Sequence, residues 1–411
     1  MRRVWIFRSL AALWVAVSLV WILALVFRGG DGTRAVFAET PFLFAERQQM
    51  VQDLVIERTL EKAESLAEGF FCEEALETLE EIPEPYREDE RVAGARERFE
   101  EIRDGMVLYE KPVRHIFFHS LIVDTDLAFD GDYMANGYNY WMTTILEFER
   151  ILEQMYEKGF ILIDIHDIEH PLVPEGRIPF VLSIDDVNYY EYMKGDGFAD
   201  RLVLDENGEV KNLYLEADGT EKIGNYDVMP ILDEFVKEHP DFSLRGVKGV
   251  IAETGYEGTL GYRTNDLESP TLEADRESAR KVAERLKETG WQFAVHGYGH
   301  RHTPKLSLGE LQADTRQWKE EVGSLVGETD VYIYPYGEEV EYPSHHLAYL
   351  QEEGFRYYCG VWTKPFVQAG DGYIRQTRCN LDGYTLTTKD EVVADMIDTA
   401  YTRDPARPPL E

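Results

Sequence analysis

Three regimes of hydrophobic patterning follow one another along the 411 residues. From Ser9 to Phe27 the run SLAALWVAVSLVWILALVF carries no charge over 19 residues, about the length that crosses a bilayer as a helix. From about Pro41 to Met106 apolar residues recur at helical spacing, as at Leu66, Phe70, Leu76 and Leu79, in a background rich in Glu and Arg. That pattern predicts helices without strands. From about Lys111 onward, apolar strands alternate with amphipathic helices. Three helices end in charged residues, then a glycine, then an aromatic that opens a strand: EKGFILIDI at Gly159, ETGWQFAVH at Gly290 and EEGFRYYCGVW at Gly354. Each glycine suits the left-handed position that closes a helix. Ala279, Val282, Ala283 and Leu286 form one apolar helical stripe, and Ile145, Phe148, Leu152 and Met155 another. Repeated helix-to-strand units of this kind predict an α/β fold with a parallel sheet or barrel.

Two segments depart from that rhythm. Between Asn188 and Tyr226, RLVLDENGEVKNLYL reads as two alternating strands joined at Asn207-Gly208, with a second turn at Asp218-Gly219, and predicts a hairpin insertion over about 188–226. In the helical region, LAEGFFCEEALETLEEIPE looks like part of a tetratricopeptide-type hairpin over 40–106. One such unit cannot bury its own face, which favours a stalk or a helical cap over a partner-binding array.

Composition narrows the function classes. With 78 acidic against 42 basic residues the net charge is -36, which repels phosphates and disfavours nucleic acid as a partner. Cys72, Cys359 and Cys379 are too few and too scattered for a disulfide scaffold or a cysteine metal site, so any metal must rest on His and carboxylate, and buried free thiols are the favoured state. Arg2, Arg3 and Arg8 precede the apolar run and acidic chain follows it. The charge rule therefore keeps residues 1–30 as a cytoplasmic tip and single-pass signal anchor, with the rest extracytoplasmic. A cleaved signal peptide is the competing reading; its best site, after Val36-Phe37-Ala38, lies far beyond the apolar run.

Four strand ends concentrate reactive groups. PFVLSIDDV runs into adjacent carboxylates, Asp185 and Asp186, which are costly side by side unless a cation or a proton separates their charges. QFAVHGYGHRH puts His296, His300 and His302 within seven residues, and Gly297 and Gly299 argue against a helix there. A loop that folds back can bring two imidazoles onto one ion, and the four-residue spacing favours His300 over His302 as the second. With a carboxylate as third ligand, such a set suits one divalent ion, Zn2+ by preference. VYIYPYG ends a strand at Pro335-Tyr336-Gly337, a turn able to aim a backbone N–H into a cleft. RHIFFHSLIVD ends its strand near His119, a group that titrates near neutral pH.

In this order the Asp-Asp, His-x-x-x-His and Pro-Tyr-Gly segments resemble the polysaccharide deacetylases of the NodB-homology type, carbohydrate esterase family 4, over roughly residues 113–400. FFHS at the first strand is similar to the branch that deacetylates poly-N-acetylglucosamine. The resemblance implies a distorted (β/α) barrel over 111–400, with Asp185 as general base, Asp186, His296 and His300 as metal ligands, His119 as general acid and Tyr336 as a backbone N–H donor. Trp362 and Tyr298 are expected at the substrate. Two residues depart from the family pattern: Val187 stands where a glycine is common, and Ile333 where many members carry the arginine that steadies the base. Arg378 is the expected replacement, with Arg375 and Arg263 as further candidates.

The function so implied is a metal-dependent hydrolase that removes acetyl groups from an N-acetylated cell-envelope or extracellular polysaccharide. A catalytically inactive glycan-binding wall protein on the same fold, or an O-acetyl carbohydrate esterase, are the alternatives. Protein partners, oligomeric state and the particular polymer are not written in these residues.

Overall fold

The structure is a computed structural model that describes residues 33–410, with side chains from residue 46. The membrane-spanning expectation at residues 1–30 lies outside the described residues; among those described, no helix is long and apolar enough to cross a membrane. The chain divides into two compact units, one reaching to Glu64 and including Glu73–Phe99, the other holding Ser65–Cys72 and Glu100–Glu411.

The first unit is built from helices α1 (Thr33–Glu68), α2 (Cys72–Glu80) and α3 (Glu90–Asp104). Ala63, Ala75, Leu79, Val92 and Ala95 are buried while the intervening Glu and Arg side chains stay in water. Small residues along the seam let helix backbones approach closely. The exposed charges pair across helices, as in Arg98 with Glu64 and Arg96 with Glu80.

Seven parallel strands close into a barrel in the second unit: β1 (Arg114–Phe118), β2 (Ile178–Asp185), β3 (Val250–Glu253), β4 (Gln292–Val295), β5 (Val331–Ile333), β6 (Tyr357–Val361) and β7 (Tyr373–Asn380). Their order around the barrel is β6-β5-β4-β3-β2-β1-β7, and β7 pairs back onto β6 through Tyr357↔Ile374 to Val361↔Arg378. Gly159, Gly290 and Gly354 all have positive φ, so the three glycines end their helices as the pattern predicted. The apolar stripes also pack as read. Ala279, Val282, Ala283 and Leu286 on α6 (Leu272–Glu288), and Phe148, Leu152 and Met155 on α4 (Ile145–Glu157), are buried against the sheet. The labels α5 (Val228–Glu238), α7 (Leu308–Trp318) and α8 (His345–Glu352) denote the other long helices of this unit.

Alternation along a strand decides what enters the barrel. On β2, Phe180, Leu182 and Ile184 join the core beneath the helices, and Val181 joins the apolar cluster inside the barrel. Ser183 and Asp185, in phase with Val181, thus carry polar groups inward at the C-terminal end. The same phase puts His115 on β1 and Gln376 and Arg378 on β7 against them. A barrel filled by apolar side chains below and by polar ones above presents its chemistry at the C-terminal strand ends.

The insertion after β2 has one strand more than the two that alternation predicted: Arg201–Leu204, Val210–Leu215 and Glu221–Gly224 form an antiparallel three-stranded sheet. All three cysteines are buried, and Cys359 and Cys379 are free thiols.

Candidate active site

Asp185 and Asp186 close β2, and their neighbours differ sharply. Asp185 is 3 % exposed and accepts from both ends of the Arg378 guanidinium, Nη1 to Oδ1 at 2.6 Å and Nη2 to Oδ2 at 2.9 Å. Arg378 is itself fully buried, with its guanidinium 4.2 Å from the Phe117 ring centroid. Burial alone would raise the Asp185 pKa; the charges of Arg378 and then His296 outweigh it and hold the carboxyl well below the usual range. Arg375 and Arg263, the other candidates for this role, are engaged elsewhere, on Glu339 and on Glu191 respectively.

A chain of polar contacts behind Arg378 fixes its position. Arg378 Nη1 also donates to Ser183 Oγ at 3.0 Å, Ser183 Oγ lies 2.9 Å from His115 Nε2, and His115 Nδ1 lies 2.8 Å from Gln376 Oε1. With Gln376 Oε1 as acceptor, His115 is neutral, donates through Nδ1 and takes the Ser183 proton at Nε2. Burial, and then the Arg378 charge, hold the His115 pKa down to about 3, in keeping with that neutral form. Nothing in the motif reading singled out His115, Ser183 or Gln376. Their inward phase on strands β1, β2 and β7 is the signal that could have found them.

Asp186 turns the other way, because its φ of 62° places it in the left-handed region. Its Oδ1 lies 4.0 Å from His296 Nε2 and its Oδ2 3.7 Å from His300 Nε2, and one donor atom from each of the three residues falls within 4.8 Å of the others. Ligands at about 2.0–2.2 Å around a tetrahedral ion lie roughly 3.4 Å apart, so the set is slightly open for one cation. The donor chemistry fits. His296 Nδ1 is 2.9 Å from the Ile333 carbonyl, to which it donates, and Nε2 is thereby left as a lone-pair donor. Burial lowers the His296 pKa despite Asp185 and Asp186 nearby, which favours the neutral ligand form.

The loop from His296 to His300 is shaped by Asp314 on α7, whose carboxylate accepts from Tyr298 N at 2.8 Å and Gly299 N at 3.0 Å. Gly297 (φ 67°) and His300 (φ 46°) are both left-handed, and this fold-back carries His300 to Asp186. His302 is drawn off instead: its ring stacks on Tyr336 at 4.1 Å, and its Nδ1 is 3.0 Å from Glu338. Tyr336 (φ 58°) also meets the His300 ring edge at 4.5 Å.

His119 follows β1, and a charge on it would lower the pKa of both Asp185 and Asp382, which puts it within electrostatic reach of the two carboxylates. Its Nδ1 is buried without a hydrogen-bond partner among the described residues.

Residues 264–358, which hold His296, His300 and Tyr336, match the family described as polysaccharide deacetylase. Over those residues the chain is similar to that family. Its fold is similar to a putative polysaccharide deacetylase of Bacillus anthracis (12% identity, TM-score 0.42, covering 70% of this chain and 69% of that one). It is similar also to the Streptococcus pyogenes deacetylase PplD, solved in complex with acetate (12%, 0.43, 70% and 99%). A third similar structure is a putative polysaccharide deacetylase of Mycobacterium smegmatis (21%, 0.25, 37% and 44%). None of the curated proteins matches the chain.

Around this site the barrel exposes several aromatic rings. Trp362, at the end of β6, is 61 % exposed, and its backbone N–H donates to the Arg378 carbonyl at 2.9 Å, so it stands on the rim next to the base-holding strand. Tyr298, expected at the substrate, is turned onto the protein: its hydroxyl donates to Glu321 at 2.6 Å and its ring fills the space beside Gly255. A cavity of about 820 Å³ opens at the opposite end of the barrel among residues such as Trp291, Asp330 and Phe355, and includes no residue of the cluster.

Proposed function

We propose that this protein is a metal-dependent N-deacetylase of a cell-envelope or extracellular polysaccharide, anchored in the membrane by its N-terminal apolar run with the deacetylase domain outside. The observation that carries the reading is the pairing of two unlike carboxylates: Asp186 within a cluster of imidazoles, and Asp185 beside it but bound to Arg378. Asp186, His296 and His300 would hold one divalent cation, and Zn2+ suits a set of two nitrogens and one oxygen. When bound, that ion supplies electrophilic polarisation of the acyl carbonyl and acidifies water at the site.

The chain's own groups divide the remaining work. Asp185, kept ionised by Arg378, accepts a proton from the attacking water. Its low pKa makes it a weak base that is always in the accepting state. The Tyr336 backbone N–H donates to the oxygen on which charge develops, and the left-handed turn at this residue supports that aim. His119 delivers a proton to the departing nitrogen, so that acetate and a free amine on the sugar result.

Similarity of the FFHS strand to the poly-N-acetylglucosamine branch favours an N-acetylated amino sugar. The strong acidity of the chain agrees, because a polymer that gains amines becomes cationic. Acetate release from N-acetylated and O-acetylated oligosaccharides, each with and without chelator, tests the reading. Release from the N-acetylated substrate that chelator stops is expected. Chelator-insensitive release would remove the metal role, and exclusive cleavage of O-acetyl groups would make the protein an esterase. An inactive binding protein would release nothing from either substrate.

A further inference from the structure

The loop that leaves β2 carries three tyrosines whose rings are not accounted for by the chemistry above. Tyr190 is buried at 5 % exposure, and its hydroxyl donates to Asp186 Oδ1 at 2.8 Å. On one side it stacks with Tyr192 (centroids 5.4 Å apart, 14° between planes) and on the other with Tyr256 (5.4 Å, 25°), which follows β3. The two outer rings are open to water, Tyr192 at 45 % and Tyr256 at 37 % exposure. The result is a column of three rings. Its middle member touches the candidate metal ligand, and its ends face solvent beside the site.

Exposed tyrosines are ordinary on a surface; a rigid pair next to a reaction centre is not. Here both loops are tied to one guanidinium. Arg263 donates to the Asn188 carbonyl at 3.1 Å, the Tyr189 carbonyl at 2.5 Å, the Glu257 carbonyl at 2.7 Å and the Glu191 carboxylate at 2.7 Å. Glu257 in turn accepts from Glu191 N at 2.9 Å. Tyr189 has a φ of 48°, a left-handed conformation that a tyrosine adopts only when its surroundings hold it there. Arg263, an outlying candidate for steadying the base, is thus a positioning residue for the column.

From this geometry we infer that the free faces of Tyr192 and Tyr256, at the two ends of the column, form a sugar-binding subsite beside the Asp186 cluster, each face stacking on a different pyranose ring of the polymer next to the residue being deacetylated. A sugar ring offers flat C–H faces that pair with aromatic rings, and its hydroxyls suit phenols and carboxylates at the rim. Pre-set rings lose little conformational entropy on binding. The inference rests on the deacetylase reading only for the identity of the polymer; the subsite itself is tested by binding.

The test measures affinities of the full-length protein for an N-acetylglucosamine tetramer and for the monomer by calorimetry, with chelator present so that no turnover occurs. Wild type is expected to bind the tetramer at least tenfold more tightly than the monomer. Tyr192→Leu and Tyr256→Leu should each weaken tetramer binding about tenfold, the loss expected for one stacking contact. The corresponding phenylalanine variants should restore it, since the ring and not the hydroxyl does the stacking. Tyr401→Leu, at a tyrosine 53 % exposed on a helix near the C-terminus, should leave tetramer affinity unchanged. Unfolding temperatures within a few degrees of wild type would exclude collapse of the loop as the cause of any loss. Tetramer affinity within twofold of wild type in both leucine variants overturns the subsite, as does equal affinity of wild type for monomer and tetramer. Failure of wild type to release acetate, with these affinities as expected, would instead sink the enzymatic reading and leave the subsite standing.

Discussion

Replacing Arg378 with methionine exposes the physical basis of the site most directly. The guanidinium is 0 % and Asp185 3 % exposed, and the two share a bidentate pair at 2.6 and 2.9 Å. Removing one partner of such a pair leaves the other charge uncompensated in a dry interior, which costs about 3–5 kcal/mol. That is a large share of the roughly 5–15 kcal/mol by which a domain is stable. Methionine keeps most of the aliphatic stem, so little of the loss should come from an empty cavity. Asp185→Asn should destabilise for the mirror-image reason, because it strands Arg378. The variant with both changes strands neither partner of this pair, and should therefore recover at least about 2 kcal/mol relative to the sum of the single losses. Urea unfolding of the four proteins in chelator at neutral pH measures this cycle. Additive losses, or an Arg378→Met protein within about 1 kcal/mol of wild type, would refute the claim that the pair is closed and buried. Activity adds a second readout. Without Arg378, burial is opposed only by the weaker pull of His296 and His119, so the Asp185 carboxyl protonates at higher pH and the acid limb of kcat/KM should move upward. An unmoved acid limb would mean that Asp185 is not the base.

Alanine at Asp186, His296 or His300 should each abolish retention of one Zn2+ per chain, measured by elemental analysis after gel filtration. Alanine at His302 should not, because its ring is held by Tyr336 and Glu338; loss at His302 would assign the wrong triad. His119→Gln should lower kcat by about 10²–10⁴-fold with bound zinc intact, and an effect on KM alone would remove it as the acid. His115 has a folded pKa of about 3, below its unfolded value, so its contribution is present above pH 6.5 and is lost as pH falls toward 3. The expected decline is on the order of 4 kcal/mol over that window, and His115→Asn should flatten the stability-versus-pH slope there. An unchanged slope would show that the ring is not held neutral.

The barrel was legible because its signals are local. A helix stripe, a left-handed glycine at Gly159, Gly290 or Gly354, and an apolar strand each lie within a few residues of sequence, and nothing distant is needed to read them. The candidate ligands were legible for a second reason: carboxylates and imidazoles at strand ends are scarce enough to be noticed. What sequence could not give was partnership. Arg378 was the expected partner of Asp185, with Arg375 and Arg263 as further candidates, and only closure of β7 against β1, which brings the inward phases of both strands onto β2, separates the arginine on Asp185 from those on Glu339 and Glu191. The tyrosine column escaped for the same reason, since its rings come from two loops more than sixty residues apart that meet through Arg263.

Backbone strain ties these observations together. Seven non-glycine residues among those described have positive φ: Phe70, Asp186, Tyr189, Arg245, Leu260, His300 and Tyr336. Asp186, His300 and Tyr336 are residues to which chemistry was assigned from sequence, and Tyr189 sets the loop that carries the column. Each such conformation costs of order 1–3 kcal/mol and survives only where surrounding contacts over-determine it. The contacts are identifiable: Ala252 O on Asp186 N, Asp314 on the loop before His300, Arg263 on the Tyr189 carbonyl. A glycine at any of these positions would relieve the strain but take away the side chain. Strain gathered at Asp186 and His300 of the candidate metal cluster, at the Pro-Tyr-Gly turn and at the loop of the tyrosine column is therefore better explained by a selected site than by a barrel that merely ends in polar loops.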